Sequence, residues 1–249
     1  MQDSPPTILL VDDDVDACQN VSDILGDLGY RVDVAHDGAA ALELARDRPY
    51  DVAVLDFRMP GMDGVTLSRH LRARHPGIVA LLLTAYASQD TAEEARSAGT
   101  WRVLSKPVDI PALLGLIGEA VGQPLVLVVD DDRDFCENLW DLLRARDFRV
   151  CIAHDPGEAA GRLSEARFQA VLIDMKLPGG DGCSVFRAVR AADPRARTVL
   201  ITGNRPETDP MIAEALSEGA DAVCYKPLDP PALLLLLERL VGASPSESR

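Results

Sequence analysis

The chain runs to 249 residues, a length that suits two domains of ordinary size better than one. With 47% hydrophobic and 26% charged residues it has a globular balance, which excludes disorder as the main state. Forty acidic residues against 25 basic ones leave a net charge of −15, which excludes the broad basic face that a phosphate-tracking nucleic-acid binder needs.

Taken in chain order, short apolar runs alternate with amphipathic stretches. Ile8 to Val11 reads as a buried strand. Asp14 to Leu28 reads as a helix, with Asp14 as N-cap and Gly29 just past its end. Arg31 to Ala35 is a strand, and Asp37 opens a helix to about Arg48. Val52 to Leu55 is a strand, and Val65 to Arg74 a helix. Ile78 to Leu83 is a strand, and Thr91 to Ala98 a helix closed by Gly99. Val103-Leu104 lies in a short strand, and Pro111 to Val121 is a helix with proline in its first turn. Five βα units imply a parallel sheet covered by helices on both faces, and right-handed crossovers make it doubly wound.

The chain then repeats itself. At an offset of 118, Val11-Asp12-Asp13-Asp14 falls on Val129-Asp130-Asp131-Asp132, Cys18 on Cys136, Ala35-His36-Asp37 on Ala153-His154-Asp155, Asp56 on Asp174, Asp63-Gly64 on Asp181-Gly182, and Thr84 on Thr202. At an offset of 120, Lys106-Pro107 falls on Lys226-Pro227 and Pro111 to Leu114 on Pro231 to Leu234. So long a period marks a duplicated domain rather than a solenoid. The expected organisation is one domain over residues 1–122, a stiff joint at 123–124, a second domain over 125–243 and a frayed tail at 244–249.

The cysteines Cys18, Cys136, Cys151, Cys183 and Cys224 are odd in number and show no CxxC spacing, which argues for reduced thiols rather than disulfides or zinc. The N-terminus MQDSPP has no signal-peptide pattern, and no apolar run approaches the roughly 20 residues of a membrane span. The expected location is cytoplasmic.

In an open α/β sheet the functional crevice lies beyond the carboxyl ends of the strands. The residues there are Asp12-Asp13, Asp56, Thr84 and Lys106 in the first copy, and Asp130-Asp131, Asp174, Thr202 and Lys226 in the second. Close carboxylates repel and call for a cation, and hard oxygen ligands suit Mg²⁺. A carboxylate there can act as a nucleophile toward a phosphoryl group, while a metal and a lysine neutralise its oxygens. Among 25 basic residues only Lys106, Lys176 and Lys226 are lysines, and two of these precede a proline at a strand end. Each element alone has an ordinary reading: Asp12 to Asp14 as helix caps, Asp56 as a turn residue, Thr84 as a strand end, Lys-Pro as a loop. The ordinary readings lose force because all four occur in order, twice.

These residues resemble the receiver domain of two-component response regulators. The matching strings are Ile8-Leu-Leu-Val-Asp-Asp-Asp14, Val54-Leu-Asp-Phe-Arg-Met-Pro-Gly-Met-Asp-Gly64, Leu83-Thr-Ala85 and Leu104-Ser-Lys-Pro107, with Leu127-Val-Val-Asp-Asp-Asp132, Leu172-Ile-Asp-Met-Lys-Leu-Pro-Gly-Gly-Asp-Gly182, Ile201-Thr-Gly203 and Cys224-Tyr-Lys-Pro227 in the second copy. The resemblance implies two tandem flavodoxin-like (βα)5 domains, each with a parallel five-stranded sheet in the order 2-1-3-4-5. It implies that Asp56 and Asp174 accept a phosphoryl group from a histidine kinase or a histidine phosphotransfer protein. Asp12 and Asp13, and likewise Asp130 and Asp131, resemble the acidic pair that holds Mg²⁺, with Asp13 and Asp131 the more direct ligands. The metal would also take Asp56 or Asp174 and the backbone carbonyl of Arg58 or Lys176. Thr84 and Thr202 would follow the phosphoryl group, and Lys106 and Lys226 would pair with it. The Lys-Pro bond is usually cis in that family.

The chain departs from the family at Val103 and Val223, where an aromatic switch residue is frequent. Positions that tune phosphoryl lifetime hold Arg58 and Tyr86 in one copy, Lys176 and Asn204 in the other. The leading expectation is a signalling protein of two receivers, not an enzyme beyond Mg²⁺-dependent self-phosphorylation and autodephosphorylation. Its output would run through a downstream protein or a homodimer, with neither DNA nor membrane contacted directly. The alternative is a docking or scaffold module in which only one receiver is phosphorylated, though neither copy lacks an acceptor, lysine or acidic pair. A haloacid-dehalogenase-type phosphatase fits poorly, because Asp16 stands where DxDx(T/V) needs Thr or Val, and no GxxxxGK[ST] or GxGxxG occurs.

Overall fold

The computed structural model describes residues 5–75, 77–85, 100–177, 180–203 and 205–242. The chain divides into two compact units, Met1–Gln123 and Pro124–Arg249. The first contains β1 (Thr7–Val11), α1 (Val15–Asp27), β2 (Arg31–Ala35), α2 (Gly38–Asp47), β3 (Val52–Asp56), α3 (Gly64–Arg74), β4 (Val79–Thr84), β5 (Arg102–Ser105) and α4 (Ile110–Gly122). The helix expected over Thr91 to Ala98 lies outside the described residues. The second unit contains β6 (Leu125–Val129), α5 (Arg133–Arg144), β7 (Arg149–Ala153), α6 (Pro156–Glu165), β8 (Ala170–Asp174), β9 (Lys176–Leu177), β10 (Gly180–Asp181), α7 (Gly182–Ala192), β11 (Arg197–Thr202), α8 (Arg205–Ser217), β12 (Ala222–Tyr225) and α9 (Pro230–Gly242).

The first sheet has the order β2-β1-β3-β4-β5, and the second β7-β6-β8-β11-β12, all parallel. Both are therefore the flavodoxin-like order 2-1-3-4-5 within their own unit. Central strands are apolar at nearly every position because both faces are covered. Leu9, Val11, Ala53, Leu55, Ala80 and Leu82 pack toward α2 and α3. Their alternating neighbours Ile8, Leu10, Val54 and Leu81 pack toward α1 and α4. The second unit repeats the arrangement, with Phe186 of α7 in one apolar layer and Trp140 of α5 in the other.

Helix starts are written in aspartate. Asp14, Asp37, Asp63, Asp132 and Asp155 each accept a hydrogen bond from the backbone N–H three residues on, which satisfies a donor the helix cannot. The α1 exit uses Gly29 at φ +90°, and Asp147 holds the matching place in the second unit at φ +57°. One element was not foreseen. The antiparallel β9–β10 pair follows β8 and joins Lys176 to Asp181 and Leu177 to Gly180.

Candidate functional site

Strand register assembles the site. Val11 pairs with Leu55, so the next residues, Asp12 and Asp56, emerge side by side. Asp56 pairs with Leu83 and Thr84 with Ser105, which sets Thr84 and Lys106 on the same rim. In the second unit Val129 pairs with Ile173, Asp174 with Ile201, and Thr202 with Tyr225. Asp130, Asp174, Thr202 and Lys226 emerge in the same way.

The lysine links the two buried carboxylates. Lys106 Nζ lies 2.6 Å from Asp12 Oδ2 and 2.7 Å from Asp56 Oδ1. Lys226 Nζ lies 2.7 Å from both Asp130 Oδ2 and Asp174 Oδ2. Asp12, Asp56, Asp130 and Asp174 are buried, whereas Asp13 and Asp131 are exposed. The other oxygen of Asp12 accepts from the Asp14 N–H at 3.0 Å, and that of Asp130 from the Asp132 N–H at 3.0 Å. Burial pushes the Asp56 carboxyl above its ordinary value, and the Lys106 hydrogen bond only partly offsets this. Asp130 is raised for the same reason against Lys226. Burial alone would lower both lysines, but their hydrogen bonds to two carboxylates outweigh it and raise them. Each ammonium therefore stays charged.

In each unit one oxygen from each of three aspartates lies within 4.8 Å of the others: Asp12, Asp13 and Asp56, then Asp130, Asp131 and Asp174. Three carboxylate donors with one open to water are the set a hard divalent cation takes. Arg58 and Lys176 are exposed two residues beyond Asp56 and Asp174. The Lys176 N–H donates to Asp174 Oδ1 at 2.9 Å, so that peptide lies against the carboxylate. Thr84 and Thr202 are buried at their strand ends. Lys106-Pro107 and Lys226-Pro227 are cis. Val103 and Val223 are partly buried against the core, so an aliphatic side chain packs at each of these positions. Tyr86 and Asn204 fall outside the described residues.

Three features escaped the sequence reading. The Asp12 carbonyl accepts from Cys18 Sγ and faces His36 Nδ1, and the Asp130 carbonyl meets Cys136 and His154 likewise. The repeat showed these residues at one offset without assigning them chemistry. Gly64 and Gly182 back onto β3 and β8, the strands that end in Asp56 and Asp174. A Cβ on Gly64 would collide with the Asp56 carbonyl oxygen, and one on Gly182 would lie 2.6 Å from that of Asp174. Finally, Lys226 Nζ sits 4.3 Å above the Phe135 ring, where the first unit has Ala17. Phe135, Leu139, Leu142 and Leu228 line a cavity of ≈ 400 Å³ beside it.

The model of the response regulator receiver domain family matches residues 8–117 and again 126–238. The response regulator receiver protein Anae109_2439 of Anaeromyxobacter sp. (strain Fw109-5) is 36% identical over 232 residues, covering 93% of this chain and 94% of its own. The transcriptional regulatory protein ZraR of Klebsiella oxytoca is 40% identical over 114 residues, 46% of this chain and 26% of its own. Among solved structures, the chemotaxis protein CheY4 of Vibrio cholerae is 31% identical, with a TM-score of 0.45, over 47% of this chain and 98% of its own. With the family matched along most of the chain, on both sheets and both acidic rims, this protein belongs to the response regulators and carries two receiver domains in tandem.

Proposed function

We propose that both units accept a phosphoryl group, the first on Asp56 and the second on Asp174, from a histidine kinase or a histidine phosphotransfer protein. The observation that carries this reading is the lysine bridge, in which one ammonium lies within hydrogen-bond reach of both the first-strand and the third-strand carboxylate in each unit. A carboxylate oxygen of Asp56 attacks the phosphorus of phosphohistidine. The P–N bond breaks, its electron pair leaves with the imidazole, and the ring nitrogen takes up a proton. The product is an acyl phosphate, toward which Lys106 turns from the acceptor carboxylate to the new oxygens. Thr84 offers a hydroxyl donor at the adjacent strand end, and Thr202 and Lys226 act alike on Asp174.

Mg²⁺ fits the all-oxygen donor set and, when bound, supplies neutralising charge for the transferring phosphoryl oxygens. Asp12, Asp13, Asp56 and the Arg58 carbonyl would hold it in the first unit. Asp130, Asp131, Asp174 and the Lys176 carbonyl would do so in the second. The output is a change in protein contacts in the cytoplasm, made with a downstream protein or a second copy of the chain, because the acidic balance offers DNA no basic face. The domain limits of 1–122 and 125–243 follow from the same reading.

A second reading confines phosphate to one unit. Asp174 has both oxygens engaged, by Lys226 and by the Lys176 N–H, and Lys226 also lies over Phe135. These contacts favour Asp56 as the readier acceptor. Intact-mass spectrometry after incubation with Mg²⁺ and acetyl phosphate separates the two readings. Two added phosphoryl groups, one lost in Asp56→Asn and the other in Asp174→Asn, support two receivers. One group, lost only with Asp56→Asn, supports the second reading. Wild-type phosphorylation of the double variant removes the site assignment.

A further inference from the structure

The chain has four histidines and five cysteines, and two of each converge on one kind of atom. The Asp12 carbonyl oxygen lies 3.5 Å from Cys18 Sγ and 3.2 Å from His36 Nδ1. The Asp130 carbonyl oxygen lies 3.3 Å from Cys136 Sγ and 3.0 Å from His154 Nδ1. A carbonyl oxygen only accepts, so the geometry requires that Nδ1 carry the proton and leaves Nε2 as the other ring position. The thiols donate to the same oxygens from the other side chain in each unit.

That carbonyl belongs to the peptide joining the two acidic residues. It lies beyond the last ladder pair of β1, Val11 with Ala35, so no neighbouring strand fixes its plane. Turning the plane moves the residue that follows. Asp13 is that residue, and its exposed carboxylate takes no hydrogen bond among the described residues. Asp131 is the same. Asp12 needs no such help, being held by Lys106 and the Asp14 N–H.

Resting on the reading of the acidic cluster as an Mg²⁺ holder, we propose that His36 and His154 are positioning residues. Through Nδ1–H on the Asp12–Asp13 and Asp130–Asp131 peptides, each supported by a thiol, they aim the exposed carboxylate of Asp13 and Asp131 at the cation. The histidine is the stronger of the two donors and the thiol the weaker. The ring touches neither phosphoryl group nor metal. It acts through the peptide, as outer partners of metal ligands do.

The test is calorimetric titration of Mg²⁺ into the full-length chain carrying Asp131→Ala, which leaves the first unit's site. Adding His36→Leu removes the donor at an exposed position, where an apolar side chain does not disturb the core. Adding His36→Asn instead returns an amide N–H close to the place of Nδ1. His36→Leu is expected to weaken Mg²⁺ about tenfold. His36→Asn is expected to recover most of that loss, with melting temperatures in EDTA alike for both. Unchanged Mg²⁺ affinity in His36→Leu, or equal weakening in both variants, overturns the positioning role. A parent chain that takes up no Mg²⁺ at all overturns the reading of the acidic cluster and this inference with it.

Discussion

Asp12, Asp13 and Asp14 are chemically identical and consecutive, and their surroundings give them three different tasks. Asp12 is buried under Lys106, Asp13 faces solvent, and Asp14 caps α1 through the Ala17 N–H at 3.0 Å. The strand-end position of the run was legible because the apolar Ile8 to Val11 stops there. The division of labour was partly legible, since Asp14 alone stands directly before a helix. The rim shared by Asp12 and Lys106 followed from the expected strand order, but the direct bond of Lys106 to Asp12 across 94 residues was not legible, because no local pattern encodes how far a side chain reaches. Burial also carries a cost that can be measured. The folded-state value of Asp56 lies above its ordinary 3.8, so the native chain binds this proton more tightly than the unfolded chain does. Stability tied to this group is therefore highest at acid pH and falls as pH rises through the folded value. In EDTA, Asp56→Asn should raise the melting temperature of the first unit at pH 7, and the gain should fade as pH drops toward about 4. A variant that melts lower than wild type at pH 7 would mean that the Lys106 ion pair outweighs desolvation.

At the scale of elements, the alternation of apolar runs and amphipathic stretches placed the described strands and helices of the first unit to within a residue or two, because both faces of the sheet are covered and little else satisfies that pattern. The β9–β10 pair was illegible. Its strands are two residues each, too short for any period to appear. The Asp63-Gly64 and Asp181-Gly182 pairs stood out in the sequence as matched positions of the repeat, and the structure gives their glycines a task. Gly64 opens α3 directly against the end of β3, where its N–H donates to the Phe57 carbonyl at 3.1 Å. With an added Cβ blocked by the Asp56 carbonyl and lying 2.8 Å from Leu82 Cδ2, Gly64→Ala must push α3 and β3 apart. Overpacking of this kind costs about 1–3 kcal/mol. Because the displaced atom belongs to the proposed acceptor, phosphorylation of Asp56 should slow in Gly64→Ala at temperatures where the unit remains folded. Circular dichroism melts paired with a phosphorylation time course check both halves. Loss of stability with an unchanged rate would place the strain in Leu82 rather than in β3.

At the scale of the molecule, the duplication yields two units that each bury their own apolar layers. Among the described residues, the clusters of buried apolar side chains, two in each unit, each draw their members from one unit alone. Each unit therefore has an apolar core of its own to draw folding free energy from. Phe186 tests this. It is only 1% exposed and lies in the same layer as Val171 and Ile173 of β8, the strand that ends in Asp174. Truncation to alanine removes about 3–5 kcal/mol from a unit whose total stability is on the order of 5–15 kcal/mol. Phe186→Ala should thus lower one calorimetric transition steeply while the other stays in place. Between the two melting temperatures the variant should still accept a phosphoryl group on Asp56 and none on Asp174, as read by intact mass after exposure to acetyl phosphate and Mg²⁺. Loss of both groups together would instead show that the first receiver borrows stability from the second, in which case the tandem chain folds as one cooperative body despite its separate cores.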